Sequence, residues 1–128
     1  MNPIRDVEFN LFAYGTLRDA SNDAGLLSGC TRVGNASVRG TLYDLVDFPA
    51  LMMYGETTIT GTVWCCPAAL LPALDANEAM ADGLFRRSAT AVRLDNGDEL
   101  PCWVYVAGPR LARMLTPEAA LTTGTWSS

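Results

Sequence analysis

The chain has 128 residues, of which 49% are apolar and 18% charged. That is one domain's worth, residues 1–128, with enough apolar surface for a real core and no compositional sign of disorder. Nine basic residues against fourteen acidic give a net charge of −5, and every basic residue is Arg. Scattered arginines under a negative total do not form the cationic face that displaces counterions from phosphates, so nucleic acid is not an expected partner.

The chain contains no His and no Lys. Histidine-assisted nucleophiles, histidine-bound metals and Schiff-base chemistry therefore fall away, and an acid–base catalyst has to be Asp, Glu, Tyr or Cys. The cysteines are Cys30, Cys65, Cys66 and Cys102. They show no Cys-x-x-Cys spacing, so no metal site and no cofactor is expected. They read as buried free thiols of a cytoplasmic protein. Arg5, Asp6 and Glu8 precede the first apolar run, which is unlike a signal peptide. The longest apolar stretch, Cys65 to Leu74, contains Pro67 and Pro72 and is too short to span a bilayer.

In chain order, Val7 to Tyr14 alternates as a first strand, with Val7, Phe9, Leu11 and Ala13 on one side. Ala36 to Leu45 alternates again, setting Val38 and Leu42 opposite Ser37, Arg39 and Thr41. Phe48-Pro49 marks a turn before a short apolar piece, Leu51 to Tyr54. Thr57 to Cys65 follows as a β-branched strand, with Thr58, Thr60 and Thr62 opposite Ile59 and Val63. Pro67 to about Met80 is the best helix candidate, starting at Pro67 or at Pro72. Ala89–Leu94 and Glu99–Val106 flank Asp95-Asn96-Gly97-Asp98. That pattern predicts a hairpin in which both central residues adopt positive φ. Thr116-Pro117-Glu118 reads as an N-cap and first turn of a short helix ending near Gly124. About six strands and one or two short helices, without βα alternation, predict an α+β fold: a small mixed, mainly antiparallel β-barrel with loops at one mouth.

Four features can carry chemistry. Tyr14-Gly15-Thr16-Leu17-Arg18 follows directly on a strand, where the glycine lets backbone amides turn toward an anionic ligand; one glycine also fits a plain strand-ending turn. On a continuing helix, Glu78 falls about 20° from Leu71 and about 40° from Leu74, on the apolar stripe. Burial makes a carboxylate hold a proton more readily, as a general base near neutral pH requires. Asp75 sits one turn earlier, as a second acid or an orienting group. A solvated helix end capped by Asn77 fits these residues too. Of Arg86 and Arg87, one can pair with an acid inside while the other faces solvent. Tyr43, Trp103 and Tyr105 are strand aromatics, and Tyr105 has a hydroxyl to offer at the barrel mouth.

Taken in order, several segments resemble the γ-glutamylcyclotransferase-like family, which includes γ-glutamylamine cyclotransferases and AIG2-like proteins. Phe12-Ala-Tyr-Gly-Thr-Leu-Arg18 is similar to the family's strand and Tyr-Gly-Ser/Thr loop. Gly40-Thr-Leu-Tyr-Asp-Leu45, Phe48-Pro-Ala-Leu51 and Gly61-Thr-Val-Trp64 follow its next strands. Leu74-Asp-Ala-Asn-Glu78 resembles the Leu-Asp-x-x-Glu segment that carries its catalytic glutamate. Leu84-Phe-Arg-Arg87, Trp103-Val-Tyr-Val106 and Gly124-Thr-Trp126 complete the series. The sequence departs from the family pattern at Ala79, usually Gly, and at Phe85, commonly Tyr.

The resemblance implies a cyclisation in which the α-amine of a γ-glutamyl amine or amide attacks its own γ-carbonyl, releasing 5-oxoproline and a free amine. It implies Glu78 as general base and then acid. Gly15, Thr16 and Leu17 would hold the substrate, with Tyr14 and Tyr105 shaping the pocket. The partner is then a small-molecule γ-glutamyl substrate, with no metal or other cofactor. The two departures keep open an alternative on the same fold, a non-catalytic module binding a small carboxylate or amine.

Overall fold

The computed structural model describes residues 8–14, 27, 29–46, 48–78 and 82–125. Five strands form a closed barrel: β1 (Glu8–Ala13), β2 (Thr31–Asp44), β3 (Pro49–Pro67), β4 (Phe85–Leu94) and β5 (Glu99–Ala107). Their order around the barrel is β1-β3-β2-β4-β5, and β5 closes on β1. The β1–β5 pair is parallel and every other pair antiparallel. The mixed, mainly antiparallel barrel expected from the sequence is the observed architecture.

Five strands replace the expected six because the two runs Leu51–Tyr54 and Thr57–Cys65 belong to one strand. The ladder with β2 is shifted between Gly40↔Thr57 and Thr41↔Met52, so residues 53–56 leave the pairing without ending β3. Gly55, at φ 103°, supplies the left-handed backbone this excursion needs. The Thr41 hydroxyl donates to the Tyr54 carbonyl at 2.7 Å and closes it. β2 also starts earlier than its alternation suggested, at Thr31, and β4 starts at Phe85 rather than Ala89.

Strand alternation divides the apolar side chains into two layers. Phe12, Tyr14, Val38, Leu42, Leu51, Ile59, Val63, Val92, Val104 and Val106 cluster together. They come from all five strands and from no helix, so they fill the barrel. Leu11, Ala13, Ala50, Trp64, Cys66, Phe85, Tyr105 and Ala107 form the outer layer with Leu74 and Leu111. Leu74 belongs to helix α1 (Leu71–Asn77) and Leu111 to helix α2 (Pro109–Ala112). β1 is thus buried on both faces toward its end, and its alternating Phe9, Leu11 and Ala13 face the helices rather than the barrel interior.

A 3₁₀ turn, Ala68–Leu70, leads into α1, which ends at Asn77. The helix is shorter than the expected Pro67 to Met80: Pro72 lies in its first turn, as the later of the two starts required. The four-residue turn joining β4 to β5 has positive φ only at Gly97, 95°, and not at Asn96. Leu94 N–H bonds Asp98 O at 2.8 Å and Gly97 N–H bonds Leu94 O at 2.9 Å. A four-residue loop spaces the strands widely enough for an ordinary turn plus one left-handed glycine. Pro117–Ala119 is a single 3₁₀ turn, and Thr116 makes no side-chain cap.

Candidate active site

The end of β1, the end of α1 and the middle of β5 converge on one region. Tyr14, the residue after β1, points into the barrel and is 6% exposed. Its hydroxyl donates to the Tyr105 carbonyl and accepts from the Leu51 amide at 3.2 Å. Burial raises the affinity of this phenol for its proton; the Glu78 charge adds to that, and the Leu51 hydrogen bond works against it.

Glu78 caps the C-terminal end of α1, with its amide bonded to Leu74 O at 3.0 Å. The residue is half-buried. Asp75, one turn earlier on the same helix, accepts from the Tyr105 hydroxyl, which brings this helix end against β5.

Tyr105 links the two layers. Its carbonyl receives the Tyr14 hydroxyl from inside the barrel, while its own hydroxyl donates outward to Asp75 Oδ1 at 2.6 Å. Burial first, then the Asp75 hydrogen bond and charge, raise its proton affinity, and Arg87 opposes them. Arg87 grips the same carboxylate in a fork, Nε to Oδ1 at 2.9 Å and Nη2 to Oδ2 at 3.2 Å. The guanidinium also stacks over the Trp103 ring, 4.7 Å from its centroid. Arg86 is exposed. Asp75 therefore orients Tyr105 and Arg87, and of the two arginines Arg87 is the one paired with an acid.

Of the residues singled out in the sequence, Tyr14, Glu78 and Tyr105 come together, and Gly15, Thr16 and Leu17 lie outside the described residues. The Tyr105 hydroxyl is engaged by Asp75, so what this residue contributes beside Tyr14 is its carbonyl. The Leu51 amide was not singled out; the Phe48-Pro-Ala-Leu51 segment was the available signal. Phe85 is buried against Phe48, ring centroids 5.8 Å apart and edge to face, and belongs to the outer apolar layer. Ala79 is outside the described residues. No helix among the described residues is long and apolar enough to cross a membrane.

A family model described as gamma-glutamyl cyclotransferase, AIG2-like, matches residues 11–128. The chain belongs to this family. No curated protein sequence matches it. Among solved structures, an AIG2-like protein from Mus musculus is 21% identical, with a TM-score of 0.73 over 94% of this chain and 88% of that one. A protein from Arabidopsis thaliana is 18% identical, with a TM-score of 0.72 over 94% of this chain and 78% of that one. A structure titled gamma-glutamyl cyclotransferase is 16% identical, with a TM-score of 0.68 over 78% of this chain; the match spans 66% of that protein's length. At these identities the likeness is one of fold. Family and fold together support γ-glutamyl cyclotransferase-like activity.

Proposed function

We infer that the chain cyclises a γ-glutamyl amine or amide, releasing 5-oxoproline and a free amine. The substrate carries its own nucleophile, which suits a chain without His or Lys. Closing a five-membered ring gains from proximity, worth effective molarities on the order of 10⁵ M or more. Three tasks remain: removing a proton from the ammonium, stabilising the oxyanion and protonating the leaving amine. Glu78 performs both proton transfers. The amides of Gly15, Thr16 and Leu17 hold the α-carboxylate or the developing oxyanion, and Tyr14 shapes the pocket.

The observation that carries this reading is a chain of hydrogen bonds: Tyr14, directly before Gly15, donates to the Tyr105 carbonyl, and the Tyr105 hydroxyl donates to Asp75, one turn before Glu78 on the same helix. The buried packing of Phe85 weighs against the non-catalytic alternative, since that departure falls in the apolar layer.

The test is 5-oxoproline release from a panel of γ-glutamyl amines. Glu78→Gln keeps the size of the side chain and removes its proton transfer. Turnover is expected to fall by about 10²-fold or more, with an unchanged circular dichroism spectrum and unfolding midpoint. Wild-type-like turnover in this variant rejects the assignment, and a wild-type chain inert toward the whole panel favours the binding module.

A further inference from the structure

Two of the four cysteines meet where β2 begins and β3 ends. Thr31 pairs with Cys65 across the ladder, which sets Cys30 opposite Cys66, and their sulfurs lie 2.7 Å apart. A disulfide needs about 2.05 Å between sulfurs and roughly 4.4–6.8 Å between Cα atoms. Cys30 directly precedes the strand residue that pairs with Cys65, and the sulfurs are already close, so closure requires only a small shift of the two sulfurs.

Neighbouring residues of a strand face opposite sides. Cys65 therefore turns away from Cys66, and the adjacent pair is not the one poised to bond. The Cys66 sulfur is buried in the outer apolar layer, and Cys30 packs on that layer while remaining half-exposed. Among the described residues no group of three or more ligating side chains assembles here, which separates this pair from a metal site. Burial, then the contact with Cys30, make the Cys66 thiol a reluctant acid, so the half-exposed Cys30 is the sulfur that meets a reagent first.

We propose that Cys30 and Cys66 are an oxidisable dithiol, a modification site that reacts with a low-molecular-weight disulfide and closes into an intramolecular disulfide. The Cys30 thiolate attacks one sulfur of the small disulfide, and a mixed disulfide forms as one small thiolate leaves. Cys66 then attacks the Cys30 sulfur, displacing the second small thiolate. The two protons given up by the cysteines reappear on the two small thiols, and the two electrons reduce the reagent. The new bond joins the start of β2, where the connection running on from Gly15 ends, to the end of β3, directly before the segment carrying Asp75 and Glu78. The proposal is independent of the cyclisation.

The experiment treats the full chain with glutathione disulfide and counts remaining thiols by alkylation under denaturing conditions. Cleavage after arginine places Cys30 in peptide 19–32 and Cys65 and Cys66 together in peptide 40–86. Thiols are expected to fall from four to two in a monomer, with the two peptides linked and fragmentation assigning the bond to Cys66. Cys65→Ser still loses two thiols; Cys66→Ala, lacking the resolving sulfur, stops at the mixed disulfide on Cys30 and loses one, and Cys30→Ser keeps all three of its thiols. Four surviving thiols, stable glutathione adducts alone, a bond through Cys65 or a bond between chains overturns the proposal. The peptide map is read on the unsubstituted chain, so the result does not depend on any variant folding.

Discussion

At the scale of single residues, the site is organised by groups whose hydrogen bonds are already committed. The Tyr14 hydroxyl satisfies a carbonyl of β5 and an amide of β3 at once. Removing it leaves both backbone groups buried without that partner, at roughly 1–3 kcal/mol for an unsatisfied group. Tyr14→Phe is therefore expected to lower the unfolding free energy by about 1–3 kcal/mol, read from urea denaturation followed by fluorescence. Unchanged stability would mean that water or another side chain replaces the phenol. Tyr14 and Glu78 stood out in the sequence through their surroundings, a glycine after a strand and a carboxylate after an apolar stripe. The partner of Tyr105 was not, because Asp75, Arg87 and Trp103 lie on three different elements and nothing in their spacing links them.

At the scale of elements, close backbone approach decides where the chain ends up. Gly124 docks on β3: Thr60 N–H bonds its carbonyl at 2.9 Å, and a Cβ built on it would lie 1.6 Å from Thr58 O. Because the obstacle is backbone, no rotamer relieves it. Gly124→Ala is expected to detach this segment and cost about 2–3 kcal/mol in urea unfolding, with faster amide exchange at Thr60 as the local signature. A variant as stable as the parent, with Thr60 still protected, refutes this docking. The sequence placed Gly124 at the end of a helix, whereas the structure uses it where β3 leaves no room for a side chain. Similarly, the Asp95–Asp98 turn joins β4 and β5 as expected. Its left-handed residue is Gly97 alone, since a four-residue loop does not need Asn96 there.

At the scale of the whole molecule, two apolar layers share one barrel wall, and both contain ionisable groups held in their protonated form. Burial pushes the Cys102 thiol up from 9.0 to about 11; Cys66, Tyr14 and Tyr105 are raised as well, burial being the largest cause in each. The folded chain keeps these protons at pH values where the unfolded chain has lost them. Their contribution to stability is therefore complete below pH 9.0 and is lost as pH rises, for Cys102 through about 11. Urea midpoints are expected to fall steadily above pH 9, and the fall between pH 9 and about 11 should be shallower in Cys102→Ala. A midpoint flat across that range would show that these groups ionise without unfolding the barrel.

Alternation and glycine and proline punctuation sufficed to predict a small mainly antiparallel barrel. These signals are local: each depends on side-chain period or on backbone freedom within a few residues. Only the tertiary structure decided that β3 is one strand around a four-residue excursion, that β1 is buried on both faces and that Tyr105 joins the two layers. It also decided which cysteines meet. Each of these depends on which strands become neighbours when the barrel closes, and that closure brings together residues about ninety positions apart, as with Tyr14 and Tyr105.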